Sequence, residues 1–267
     1  MRRVRTYSTK DVLRLPDPTW QIAGVFPEGG LGVLYGPSGT GKTFVALDMA
    51  LSVAEGYNWL QRPTKPGAVA YVVGEGRGGL KFRLRAWYEA HEPRLEMPFT
   101  WILQPVNFLN EADVKHLINL IRVPPSLLVI DTLARNFGGG DENETKDMNQ
   151  FIQNVDLLRT ELQTGVLVVH HTGKDLTKGA RGNSALEGAA DVMMMLSTKQ
   201  RLKCLKQKDA EDFKTIHLDF PIIQLAGESS SRIVTLAEEQ GRRGSPSGAP
   251  PKNHAENKKR FDAAFGI

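Results

Sequence analysis

The sequence predicts an α/β protein: a mainly parallel central sheet with helices on both faces, extended by antiparallel strands toward the C-terminus. Three observations predict it. Short continuous apolar runs recur at "AVAYVV" (68–73), "LLVI" (127–130), "VLVV" (166–169) and "VMMML" (192–196), as strands buried on both faces require. Helical patterns separate them, which implies right-handed crossovers between parallel strands. After residue 200 the helical pattern stops, and the strand-like stretches "RLKCLKQ", "TIHLDF" and "RIVTL" follow at short spacing.

Taken in order, "LGVLYG" (31–36) is an apolar strand ending in glycine. Val45, Leu47, Met49, Ala50 and Val53 then supply the apolar faces of a helix from Lys42 to about Glu55. "AVAYVV" is the next strand and "GLKFRLRAWYEAH" the next helix. A polar loop is expected at 136–147, after "LLVI", and a helix at about 147–163 before "VLVV". Three segments result: a basic N-terminal arm (1–14), one α/β domain (15–240) and a basic tail (241–267) rich in Gly, Pro and Ser.

The net charge of +4 resides in the two ends. Arg2, Arg3, Arg5 and Lys10 stand without an acid among the first ten residues, and residues 241–260 carry six Lys or Arg against Glu256, leaving 11–240 acidic overall. Basic arms are an electrostatic footprint for nucleic acid, and equally a composition of solubilising tails. The single cysteine, Cys204, excludes an intramolecular disulfide framework. No apolar run reaches the roughly 18 residues of a membrane span, and the basic start has no apolar segment behind it, so a cytoplasmic protein with no membrane partner is expected.

The segment Gly36-Pro37-Ser38-Gly39-Thr40-Gly41-Lys42-Thr43 satisfies G-x-x-x-x-G-K-[ST] between a strand and a helix. Its glycines let successive N–H groups turn inward toward phosphate oxygens, and the helix adds its positive N-terminal end. Lys42 is placed to reach the β/γ-phosphates and the Thr43 hydroxyl to ligate Mg²⁺. The loop therefore holds a nucleoside triphosphate, with ATP and Mg²⁺ as the expected ligands. Asp131, at the end of "LLVID", is the second Mg²⁺ residue, emerging where ligands bind in such sheets.

Hydrolysis needs a base for the attacking water. The position after Asp131 is Thr132, so the candidate base is Glu75, flanked by glycines after "AVAYVV". The pair His170-His171 ends the strand "VLVVHH"; one of the two is expected to face the nucleotide, and His171 is the candidate γ-phosphate sensor.

Lys42, Glu75, Asp131 and His171, in that order, resemble the RecA-like ATPases. Within that group "VVGEG", "LLVIDTLARNF" and "LVVHHTGK" look like the corresponding segments of RepA-type hexameric replicative helicases of plasmids and phages, over about residues 15–220. The resemblance implies a RecA-like P-loop NTPase that forms a homo-oligomeric, hexameric ring on single-stranded DNA, with nucleotide at the subunit interfaces. It implies cationic fingers supplied by a neighbour. "LKQKDAEDFKTIHLDF" is similar to the finger strand of DnaB-like ring helicases, which assigns Lys206 and Lys208 that role. The RepA-type helicases carry an arginine where this chain has Asp191, and Arg181 is the further finger candidate.

By the same resemblance the loop 172–185 faces the channel, with Lys174, Lys178 and Arg181 following a sugar-phosphate backbone. A second loop, 135–144, offers Phe137 to stack on a base. The implied function is an ATP-dependent DNA helicase or translocase acting in replication, with replication or recombination proteins as further partners. A RadA-like recombinase or mediator has the same fold. An ATP-gated switch that binds a protein is the alternative of a different class.

Overall fold

The computed structural model describes residues 6–91, 97–171, 184–225, 227 and 229–238. Its elements in chain order are α1 (Thr9–Val12), β1 (Trp20–Ile22), β2 (Phe26–Pro27), β3 (Leu31–Gly36), α2 (Lys42–Glu55), β4 (Val69–Val73), α3 (Arg77–Ala90), β5 (Phe99–Ile102) and α4 (Glu111–Leu120). There follow β6 (Leu127–Asp131), a 3₁₀ turn (Ala134–Asn136), α5 (Thr145–Leu162), β7 (Gly165–His171), α6 (Ser184–Ala189), β8 (Val192–Leu196) and β9 (Arg201–Gln207). The chain ends in β10 (Ile216–Asp219), β11 (Ile222–Gln224), β12 (Ser230–Arg232) and β13 (Thr235–Leu236).

Among the described residues, nine strands form one sheet in the order β13-β10-β9-β8-β3-β7-β6-β4-β5. The block from β8 to β5 is parallel, and β9, β10 and β13 continue it antiparallel. The expected mainly parallel sheet with an antiparallel extension is what the chain forms. The stretch expected as one strand, "RIVTL", divides in two. Ser230–Arg232 pairs with β11 in a separate hairpin against α3, while Thr235–Leu236 returns to the sheet edge. Val234 turns into the core between them, which breaks the strand.

The apolar runs are explained by two cores. Leu34, Tyr71, Val73, Val129, Leu167 and Val169 point to the face covered by α2 and α3. The alternate residues Val33, Tyr35, Val72, Ile130, Val166 and Val168 point to the face covered by α4, α5 and α6. Both faces being dry, no polar alternation is possible. Helix α2 is buried along nearly its whole length and stops at Gly56, whose left-handed backbone (φ 74°) returns its amide to the carbonyls of Ser52 and Val53. Residues 6–19 are exposed, and among the described residues no helix is long and apolar enough to cross a membrane.

Candidate functional site

The order of the parallel strands decides where the site lies. Strands β3, β7, β6 and β4 are consecutive neighbours, so the residues at their C-terminal ends form one row: the phosphate loop, His171, Asp131 and Glu75. Four segments separated by up to 135 positions in sequence are thus brought together, as the crevice rule for such sheets requires.

The loop from Gly36 to Thr43 is closely fitted. A Cβ at Gly36 would lie 2.2 Å from the carbonyl oxygen of Leu196 on β8, and one at Gly41, where φ is 102°, would lie 2.7 Å from the Phe220 ring. Both positions require glycine for space and for conformation. Thr40 Oγ1 closes the loop by donating to the Pro37 carbonyl at 2.9 Å. Lys42 Nζ donates to the carbonyls of Gly36 and Pro37 at 2.9 and 2.7 Å, which holds the ammonium inside the cradle. Burial lowers its pKa to about 8, opposed by the carboxylates of Asp131 and Glu75.

Asp131 is 3% exposed and reached from two sides. Tyr71 Oη donates to Oδ2 at 2.8 Å, and Thr43 Oγ1 donates to Oδ1 at 3.4 Å. Burial raises the Asp131 pKa, and the bonds from Tyr71 and Thr43 work against that rise. Burial also lifts Tyr71 well above the ordinary phenol value, so it remains a donor. A hydroxyl and a carboxylate at one corner of a phosphate cradle are the hard oxygen donors that suit Mg²⁺. Among the described residues no three His, Cys, Asp or Glu side chains cluster as a cage. Mg²⁺ is commonly held by one or two protein groups together with phosphate and water.

Glu75 follows β4 by two residues and precedes Gly76, whose left-handed backbone (φ 72°) starts α3. Its carboxylate is clasped: Oε1 lies 3.6 Å from His171 Nε2, and Oε2 accepts from Arg135 Nε at 3.2 Å. His171 is the member of the histidine pair that faces this cleft, while His170 is 1% exposed. The candidate base and the candidate sensor are therefore neighbours.

Other candidates fall elsewhere. Phe137, expected to stack on a base, is 2% exposed and packs against Phe151 at 5.6 Å between ring centroids. It is a core residue, because the 3₁₀ turn before it is pinned inward by Asn136. Asn136 Nδ2 donates to the Thr132 carbonyl, and its Oδ1 accepts the Val106 amide, each at 2.8 Å. Lys206 and Lys208 follow β9 to the opposite end of the sheet, since Gln207 pairs with Val192 at the start of β8. Lys206 Nζ caps the carbonyls of Glu187 and Gly188 at 2.6 and 3.1 Å, and Lys208 Nζ lies 3.8 Å from Asp191. Neither approaches the phosphate loop of its own chain. Asp191 also accepts the Leu31 amide at 2.8 Å and Arg159 Nη2 at 3.1 Å, a structural junction between β3, β8 and α5. Lys174, Lys178 and Arg181 lie outside the described residues, as does the tail 241–267.

Three residues at the site carried no signal in the sequence that singled them out. Tyr71 is one member of an apolar strand. Arg135 sits unmarked in "DTLAR". Arg83 is one of several cations on α3; its guanidinium lies over the Phe44 ring at 5.4 Å, and its charge weakly opposes the rise in the Asp131 pKa.

Solved structures share this fold. The KaiC-like protein PH0186 of Pyrococcus horikoshii OT3 matches 82% of this chain and 94% of its own, at 16% identity and a TM-score of 0.54. The RadB recombinase matches 79% and 92% at 16% identity and 0.53. A solved ATPase domain matches 72% and 82% at 13% identity and 0.55. At these identities the likeness is one of fold alone. Residues 4–176 match the family model AAA_25, described as an AAA domain, and with the phosphate loop and its hydroxyl–carboxylate corner in place the chain belongs to this family of P-loop ATPases.

Proposed function

We propose that the protein is an ATP-driven motor on single-stranded DNA, a helicase or translocase that works as a homo-oligomeric ring, with Glu75 as base and His171 as sensor. The observation that carries the reading is the contact between them, 3.6 Å across the ends of β4 and β7. A histidine that touches the base responds to whatever occupies the phosphate cradle. It is also the last residue before the segment bearing Lys174, Lys178 and Arg181.

In this reading Lys42 leaves its loop carbonyls for the β/γ-phosphates, and Glu75 orients the attacking water and accepts its proton. Thr43 and Asp131 are the residues that would hold Mg²⁺, which supplies charge neutralisation on the phosphate oxygens. Lys206 and Lys208, facing away from their own cradle, serve a nucleotide only on an adjacent copy, which supports interfacial sites. A filament-forming recombinase is the second reading, favoured by the likeness to RadB.

The test is ATP hydrolysis with and without single-stranded DNA over a range of protein concentrations. The motor reading expects a rate that rises steeply with both. Strand displacement then identifies a helicase, and strand exchange without displacement a filament former. A rate linear in protein and indifferent to DNA would sink the motor reading in favour of a protein-binding switch.

A further inference from the structure

We propose that the buried carboxyl of Asp48 is a proton-linked regulator of nucleotide affinity. Neutral, it leaves the phosphate loop free to bind a triphosphate; ionised, it opposes that binding from within the same helix. The inference rests on the ATP-binding part of the proposed function and is independent of DNA.

Three segments meet at this carboxyl. Asp48 lies on α2, six residues after Lys42, and is 5% exposed. Trp87 on α3 donates its indole Nε1 to Oδ1 at 2.8 Å. Trp59, 0% exposed, comes from the segment between α2 and β4, where its amide and carbonyl are both paired with Arg62. The Trp59 Nε1 makes no hydrogen bond among the described residues, yet it acts on the Asp48 carboxyl. One indole bond is therefore made, and a second buried donor stands beside it unused.

That arrangement suits a neutral carboxyl. A buried carboxylate needs its charge met by several donors, and the Trp59 N–H is the one at hand. The surrounding groups give no relief. Tyr57 and His91 stack on the Trp87 ring, and Tyr88 meets its edge. Arg62 donates to the Ala23 carbonyl, Tyr71 and Asp131 on the strands beneath α2 bond each other, and Glu55 lies further along the helix. Burial is the largest influence on the Asp48 proton and lifts its pKa to about 7, with the two indoles working against that rise. The charge state thus changes near neutral pH.

The consequence is electrostatic. The N-terminal end of α2 is the positive pole on which phosphate binding relies. Six residues of helix rise amount to about 9 Å. Over roughly that distance, in an effective dielectric of about 20, a unit charge changes an affinity by about tenfold or more. Solvent at the loop screens part of this, leaving about three- to tenfold. By linkage, a bound triphosphate draws a proton onto Asp48 by the same factor.

The experiment measures KM for Mg·ATP and kcat from pH 6 to 8 with the full chain as wild type, D48N, W59F and H91Q. In the wild type KM should rise about three- to tenfold through pH 7, with kcat changing less. D48N, permanently neutral, should keep the low KM throughout. W59F removes a donor that favours the ionised form, so its rise should move to higher pH. H91Q should keep the wild-type rise, because burial lowers the His91 pKa below its ordinary value. A flat wild-type KM, or a rise that D48N retains, overturns the proposal. So does a rise that W59F leaves in place or that H91Q abolishes. A wild type without ATPase activity overturns the proposed function instead, and ADP affinity over the same pH range then decides the role of Asp48.

Discussion

The phenol of Tyr71 is worth removing first, because Tyr71→Phe changes one hydrogen bond and almost no volume. Tyr71 is 1% exposed and its partner Asp131 3%, so the lost bond is replaced by neither water nor another donor. Hydrogen bonds to charged groups contribute about 1.5–3 kcal/mol. The variant can lose that stability, or Asp131 can take up a proton, each unit of pKa rise absorbing about 1.4 kcal/mol. Burial already holds the Asp131 pKa above its ordinary value, and the Tyr71 bond is the largest influence opposing it. Removing the bond moves the pKa further in the same direction.

Two consequences follow, with definite signs. A carboxyl whose folded pKa is raised contributes stability that is present in acid and lost as pH rises through that pKa. The variant therefore unfolds at lower denaturant than wild type at pH 8, by about 2 kcal/mol, and the gap narrows toward pH 4. A carboxyl with a higher pKa also competes less well for Mg²⁺ against protons, so the Mg²⁺ concentration giving half-maximal ATPase rises, and rises most at the acid end of the pH range. Urea titrations at several pH values and Mg²⁺ titrations of the ATPase measure the two effects. Equal Mg²⁺ half-saturation together with equal stability at pH 8 would refute the claim that the Tyr71 hydroxyl lowers the Asp131 pKa.

Other predictions rest on neighbouring groups. Arg83→Ala removes a weaker influence on Asp131 and uncovers Phe44; Mg²⁺ half-saturation should rise, and by less than in Tyr71→Phe. Asp48, buried on α2, accepts from Trp87 Nε1 on α3 at 2.8 Å, and burial pushes its pKa up to about 7. Wild-type stability should fall as pH rises from about 4 to 7, and Asp48→Asn should flatten that slope in denaturant melts. Phe137→Ala should cost about 3–5 kcal/mol of stability, as a deleted core ring does. On the motor reading, filter binding at a temperature where the variant stays folded should give the wild-type affinity for single-stranded DNA.

How much of this was legible in the sequence depends on whether a residue's role is local. The phosphate loop announces itself, since glycine spacing, Lys42 and Thr43 all act within eight positions, and strand and helix stand on either side. The parallel block was legible for a similar reason: strands dry on both faces leave uninterrupted apolar runs. Glu75, Asp131 and His171 could be proposed because each ends such a run, although only the strand order shows that Glu75 and His171 touch. Phe137 misled. An aromatic in a glycine-rich polar loop looks exposed, and nothing in its neighbours foretells that Asn136 pulls the turn inward and carries the ring onto Phe151. Tyr71 was invisible because its ring satisfies the apolar pattern, and its hydroxyl matters only through a partner sixty positions away.

Asp191 raised a difficulty at the sequence level, standing where RepA-type relatives carry an arginine, and its surroundings supply a physical resolution. The carboxylate bonds the Leu31 amide and Arg159, so it fixes the starts of β3 and β8 to α5. An arginine there would lose both bonds and bring a second cation beside Arg159. The position is therefore committed to structure in this chain. Lys206 is tethered by two carbonyls of α6 and Lys208 only by a 3.8 Å approach to Asp191. Lys208, 60% exposed, is the less tightly held of the two. On the ring reading, Lys208→Ala should thus impair ATP turnover more than Lys206→Ala. Mixing it with Lys42→Ala subunits should restore hydrolysis, because each variant then supplies what the other's interface lacks. Equal loss from both lysines, or no recovery on mixing, would remove β9 from the catalytic interface.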